Sequence, residues 1–370
     1  MSLGKRFKEH PSEGTQPAAE TAAKDEEQPE TAGDSWISYD LWIAGVQVTS
    51  LNMNDILADN DMPGSNTGKA TYDPTNKVLT LDNVNISAGS KDYMLSISVH
   101  DFDNGMNLVS ETFTSYSAIY SKIPDLTIRL SGKNSIACTG TDAAADYQAI
   151  ASAPGDSYSV EPKDAQNPAF LEITAGTGLC CGGKLSVSDL TITDTVTDGI
   201  TYPGYHGCFS AEGDLTVEKC TLKEKTQTEV RTYALYSLNG TTDFTDSTLT
   251  ASKDGTADGD DIYLEGFASD NETDGAVTLT GSTVTANSLL YGMRGYASRI
   301  DNSSITWKDC DCQGYGCIMG VSVDIRNGSI LNLTSEGSGS IFSGGGRLLI
   351  QGEKTSVTVN TINSDGIVFQ

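Results

Sequence analysis

Histidine is almost missing from this chain: His10, His100 and His206 are the three in 370 residues. That scarcity removes the usual general base of Ser/His/Asp and Cys/His catalysis, and with it the commonest zinc ligand. Positive charge is short as well. Twenty-three Lys and Arg stand against 50 Asp and Glu, for a formal net charge of −27 and a pI near 4.2. A surface of that sign repels polyanions, which excludes nucleic acid as a partner. No apolar run is long enough to cross a bilayer, so no transmembrane segment is expected. Helical periodicity is lacking too, and charged residues make up only 20% of the chain. The abundant Gly, Ser, Thr, Asn and Asp instead suit many tight turns.

What is present is a repeat. A small residue, then Ile or Leu, then often an aromatic recurs at Ile119, Ile150, Leu179, Cys208, Leu235, Ile262, Leu290, Ile318, Ile341 and Ile367, at spacings of 31, 29, 29, 27, 27, 28, 28, 23 and 26 residues. Two further apolar phrases follow within most repeats. One is apolar-x-apolar, as at Leu126/Ile128, Leu171/Ile173, Leu185/Val187, Leu215/Val217 and Val277/Leu279; the other centres on Ile136, Ile192, Leu222, Leu249, Val284, Ile305 and Ile330. Each has period two and turn residues at its ends, so each reads as a short strand. A leucine-rich repeat would need a helix or an Asn-containing consensus in every unit, and a propeller blade needs roughly 40 residues or more. The expected fold class is therefore all-β: a right-handed single-stranded parallel β-helix of about ten coils, three short strands per coil. On two of its faces the outward positions are polar, for example Thr127, Ser186 and Thr216 on one and Thr191, Thr221, Thr248 and Thr283 on the other. Those two sheets should face water.

Three segments follow from this reading. Residues 1–34, rich in Pro, Glu, Ala, Lys and Gln, form a disordered linker whose opening Met-Ser-Leu-Gly is an expression remnant; 35–75 form an N-terminal cap; 76–370 form the β-helix. A polar tether leading into a surface module implies a signal peptide or lipid anchor upstream. In the cap, a hairpin turns at Gly45, Ser50 N-caps a short helix over Leu51–Leu57, and Trp36, Trp42, Ile43 and Ile56 plug the open end. Cys208 and Cys220 occupy core positions. Cys180 and Cys181 are free thiols, and the spacing allows a disulfide between Cys317 and either Cys310 or Cys312.

The runs LWIAGVQVTSLNMNDIL, GKATYDPTNKVLTLDNVNIS and AIYSKIPDLTIRLSGKNSI resemble the opening of a family of extracellular right-handed β-helix proteins from clostridia and their relatives. That family is pectate-lyase-like and contains a calcium-bearing member that binds acidic plant-wall glycans without cleaving them. The resemblance covers roughly residues 36–140. It implies an extracellular, cell-surface or secreted location, a polysaccharide partner, Ca2+ as cofactor and no catalysis.

Candidate site residues come from the first strand of each repeat, where the position after the repeated Ile or Leu is large and flat: Phe209, Tyr236, Tyr263, Tyr291, Met319 and Phe342, preceded by Tyr120. A line of such groups along a rigid sheet suits stacking of an extended glycan. Two expectations compete: a reversed register with the aromatics inside, which Ile at nearly every anchor opposes, and cover of the column by the chain's own long loops, such as 153–170. A dense acidic run offers hard oxygen donors for calcium, with Asp258, Asp260, Asp261, Asp270 and Asp274 as candidate ligands. It carries no known calcium-loop signature, so a solvated acidic loop is the competing expectation, and the family resemblance is what implies the metal. Catalytic alternatives find less support. NETDG at 271–275 and Asp260–Asp261 are similar to fragments of polygalacturonase motifs, but in reversed order and without their Gly-His-Gly and Arg-x-Lys partners. The expected function is non-catalytic carbohydrate binding at the cell surface. A β-helical polysaccharide lyase or hydrolase, and an adhesin or spacer that binds protein, are the alternatives.

Overall fold

The computed structural model describes residues 36–101, 107–142, 145–197, 207–227, 232–253, 264–269, 274–287, 289–310, 317–335, 341–361 and 367–369. They belong to one compact unit, Trp36–Gln370. It is a parallel β-helix, with strands hydrogen-bonded in parallel to the equivalent strand of the next coil. Three columns of strands wrap one continuous apolar interior.

In the first column the register links Ile119, Ile150, Leu179, Phe209, Leu235, Phe267, Met293, Ile318, Ile341 and Ile367. Three of these differ from expectation. Phe209, not Cys208, is the ladder residue, and it is fully buried in the core. Phe267 and Met293 hold the places expected for Ile262 and Leu290. The reason is a bend. Ala118, Ala149, Cys208 and Ala234 lie in the same interior cluster as the Ile, Leu or Phe that follows each. Two consecutive residues therefore point inward, and the pairing skips the small one. A strict period-two reading cannot separate these two positions, so Cys208–Phe209 slips by one.

The second column runs from Leu126/Ile128 through Tyr158/Val160 to Leu185/Val187 and Leu215/Val217. Leu171/Ile173, expected there, sits in the third column between Ile136 and Ile192. Farther on, Leu331 rather than Ile330 continues the third row from Ile305, leaving Ile330 exposed. The corner between the second and third columns is built by local chemistry. Asn83, Asp189, Lys219, Asp246, Asn302 and Asn327 adopt positive φ there, as does Gly281, a conformation that Asn, Asp and Gly tolerate best. Immediately after it runs a buried hydroxyl ladder. The N–H of Cys220 donates to Ser247 Oγ (2.9 Å), Ser247 to Ser282 Oγ (3.2 Å), Ser282 to Ser303 Oγ (3.1 Å) and Ser303 to Ser329 Oγ (3.2 Å). These bonds satisfy amides that the turn would otherwise leave buried and unpaired.

At the N-terminal end, Ser38–Ile43 and Val46–Thr49 form the expected hairpin, with Ala44 and Gly45 both at positive φ. Its first strand pairs antiparallel with Asn107–Ser121, and Thr67–Asp73 pairs antiparallel with Val78–Ile86. Antiparallel strands thus close edges that would otherwise invite association. The expected helix over Leu51–Leu57 is absent; a 3-10 turn at Ile56–Ala58 stands in that region. Ser50 Oγ accepts instead from the Ile37 N–H at 3.0 Å, and Asn52 Oδ1 from the Thr49 N–H at 2.7 Å. Ile43 and Ile56 are fully buried plug residues, whereas Trp36 is 55% exposed. Trp42 lies half-buried on the outer side, beside Tyr120 and under Lys91 and Lys122.

Candidate functional site

Two register rows flank the bend of the first column. One comprises Ser117, Gln148, Thr177, Gly207, Tyr233, Glu265 and Tyr291; the other Tyr120, Ala151, Cys180, Ser210, Tyr236, Ala268, Arg294, Met319, Phe342 and Val368. The core side of each bend is taken by the small residue and its Ile, Leu or Phe. Tyr233 and Tyr236 therefore share the outer face, where they form a cluster of their own with Ala268 and Leu238.

This face is not an open platform. Ser117, Gln148 and Thr177 are fully buried, and Tyr120, Tyr233 and Tyr236 keep 3–4% of their surface. Over the first coils the cover includes Tyr93, from the Lys91–Asp101 strand. Its ring stacks on Tyr120 at 4.2 Å and its hydroxyl bonds to Gln148. Ser117 Oγ also donates to Gln148 Oε1 (3.2 Å), and Gln148 Nε2 donates to Asp146 Oδ2 (2.5 Å). Burial raises the Tyr93 hydroxyl well above its ordinary pKa. It does the same to the Cys180 thiol, with Asp146 adding to the shift. Cys180 is therefore held as the thiol, not as the nucleophilic thiolate. These coils look built for cohesion.

The middle coils differ. The Tyr233 and Tyr236 rings lie 4.6 Å apart, and Arg294 Nη2 donates to the Tyr233 hydroxyl at 3.3 Å. Arg294 and Met319, next to one another in the row, are both half-buried. A half-buried guanidinium held by a buried tyrosine on a strongly acidic protein can pair with a carboxylate.

Among the expected stacking residues, Phe209 is in the core. Tyr236 is on the outer face but covered, and Met319 is half-buried beside Arg294 in the register row. Tyr263 lies outside the described residues. Tyr291 and Phe342 are placed by strand register alone, Tyr291 in the row of Tyr233 and Phe342 beside Met319. Of the expected calcium ligands, Asp258, Asp260, Asp261 and Asp270 also lie outside the described residues; Asp274 is exposed, just ahead of the Ala276–Thr280 strand. Among the described residues no three His, Cys, Asp or Glu gather as metal ligands. Tyr233 and Arg294 were not anticipated. Their signal was present in the repeat, two positions before Leu235 and one after Met293, once the inward pair is recognised as two residues long.

The chain matches no known protein-family model, no curated protein and no solved structure. No helix among the described residues is long and apolar enough to cross a membrane.

Proposed function

We propose that this chain is a non-catalytic polysaccharide-binding β-helix displayed outside the cell, with binding centred on the outer face at the half-buried Arg294 and Met319, which the buried Tyr233 and Tyr236 support. The observation that carries this reading is the aromatic cluster set apart from the core and bonded to a guanidinium, on a chain whose net charge is −27. The buried rings hold the guanidinium in place, and a guanidinium suits a uronate carboxylate. The resemblance of residues 36–140 to extracellular glycan-binding β-helices supports the same class of ligand. Calcium, bridging acidic side chains to uronate groups, belongs to the proposal as a second source of attraction.

A glycan array with and without calcium tests the reading. Retention on pectic or other uronate polymers is the expected result, with no new reducing ends and no unsaturated-uronate absorbance. Arg294→Gln and Met319→Ala should each weaken retention several-fold while leaving the far-ultraviolet circular dichroism unchanged. New reducing ends or uronate absorbance would establish a hydrolase or lyase instead. Glycan binding that is indifferent to both variants would move the site elsewhere on the molecule. Absence of glycan binding alongside capture of a purified surface protein would favour an adhesin.

A further inference from the structure

The inward row of the third column is apolar except at two consecutive coils. It runs Ile136, Ile173, Asp194, Glu224, Ala251 and Ala286, in register across the parallel ladder. Asp194 and Glu224 are 0% and 1% exposed, and as partners on neighbouring parallel strands their backbones are separated by about 4.8 Å. None of the four carboxylate oxygens has a hydrogen-bond partner. Room for the first is made by Gly178 on the facing strand, where a Cβ would collide with Asp194 Oδ2 and with the Cys208 carbonyl.

What faces the pair decides its charge. From the first column come Gly178 and Cys208; from its own row, Ile173 and Ala251. Cys220 lies near Cys208 and is likewise a buried thiol. The Cys208 thiol and the Thr195 backbone N–H lie by Asp194 and the Thr226 hydroxyl by Glu224, each favouring the ionised form but outweighed by burial, and none completing a hydrogen bond. No lysine, arginine or histidine among the described residues pairs with either acid. Two like charges in an apolar, unpaired setting cannot both persist.

We propose that Asp194 and Glu224 form a proton-holding joint inside the β-helix: protonated, they let coils Thr177–Val196 and Gly207–Thr226 close on one another, and their joint ionisation loosens those coils. Burial pushes Asp194 up to about 7 and Glu224, with Asp194 adding repulsion, up to about 8. Both carboxyls thus bind protons more tightly folded than unfolded. Their contribution to stability is complete below the ordinary carboxylate range and is lost as pH rises through about 7 and 8. The direction is opposite to that of a salt-bridged acid. The same coils carry Cys180 and Ser210 on the outer face, so loosening them would disturb the floor beside Tyr236.

Amide hydrogen exchange on the intact chain, in chelator, at about pH 6 and about pH 9, tests the joint, with the Ala297–Asp301 strand as an internal reference for intrinsic exchange. Opening of Leu190–Val196 and Thr221–Thr226 should increase relative to that strand by roughly tenfold per pH unit for each proton released. The double variant Asp194→Asn with Glu224→Gln should abolish the difference. Infrared absorption of protonated carboxyls, read on the wild type at about pH 6, gives a measurement that does not depend on the variant folding; its absence would overturn the proposal. Equal protection at both pH values would overturn it too. Selective tightening of these strands by calcium at about pH 9, lost in the double variant, would replace the proton with a bound cation and equally overturn it.

Discussion

At the scale of single residues, the interior tolerates little substitution. Leu235 lies between Phe209 and Phe267 in the first ladder and is fully buried. Truncation to Ala should cost about 2–5 kcal/mol, as deletion of a packed core side chain does. Phe209→Ala provides the sharper comparison. An exposed stacking residue would change stability by less than about 0.5 kcal/mol, whereas a core Phe should lose about 3–5 kcal/mol. Chemical denaturation of the two variants reads the register directly, and an unchanged midpoint for Phe209→Ala would show that its ring is not packed. Gly178→Ala should also destabilise, because the added methyl meets Asp194 and the Cys208 carbonyl. These residues show how far the sequence could be read. The repeated Ile and Leu marked the interior rows, since apolar periodicity reports burial. The inward-pointing Cys208 and Phe209 did not separate, because a bend in the strand breaks the alternation that the reading assumed.

At the scale of the strand and corner, repeat spacing was the most legible feature and loop length the least. Corners such as Asp246-Ser247-Thr248, Gly281-Ser282-Thr283 and Asn302-Ser303-Ser304 repeat one chemistry: a residue that accepts positive φ, then a hydroxyl that caps the amide of the previous coil's equivalent residue. Ser282 is the informative member. Its Oγ accepts from Ser247 N–H and lies within bonding range of the Phe244 and Thr280 carbonyls. Ser282→Ala leaves a buried amide without its acceptor and should cost about 1–3 kcal/mol, while Thr283→Ala on the exposed side of the same corner should shift stability by less than about 0.5 kcal/mol. Equal effects in thermal unfolding would mean that the ladder contributes nothing specific. Between the third and first columns the connections vary in length, from the single residue between Ala169–Ala175 and Thr177–Cys181 to the longer stretch between Leu190–Val196 and Gly207–Ala211. The varying lengths there carried the expected Ile262 and Leu290 away from Phe267 and Met293, the residues that pair. The aromatic column expected from sequence inherited that error, so only part of it lies on the outer face.

At the scale of the whole molecule, charge sets the terms on which any acidic glycan can approach. A net charge of −27 opposes the encounter, and within a Debye length of about 10 Å at 0.1 M salt that repulsion is not screened. Two local remedies make opposite demands. If Arg294, held on the outer face by Tyr233, captures uronate carboxylates directly, binding should survive chelation, and Arg294→Gln should remove most of it. If calcium bridges protein acids to the glycan, chelator should abolish retention, and Arg294→Gln should weaken it several-fold without removing it. Sodium chloride separates the cases further. Screening first relieves whole-molecule repulsion, so retention through a bridging divalent ion should improve between low and moderate salt before weakening, whereas a single guanidinium–carboxylate contact gains less from relief than it loses in strength. We expect calcium-dependent retention that rises and then falls with salt, measured on a uronate column with and without chelator. Undiminished retention in chelator would remove bridging and leave Arg294, with Met319 beside it, as the whole of the recognition.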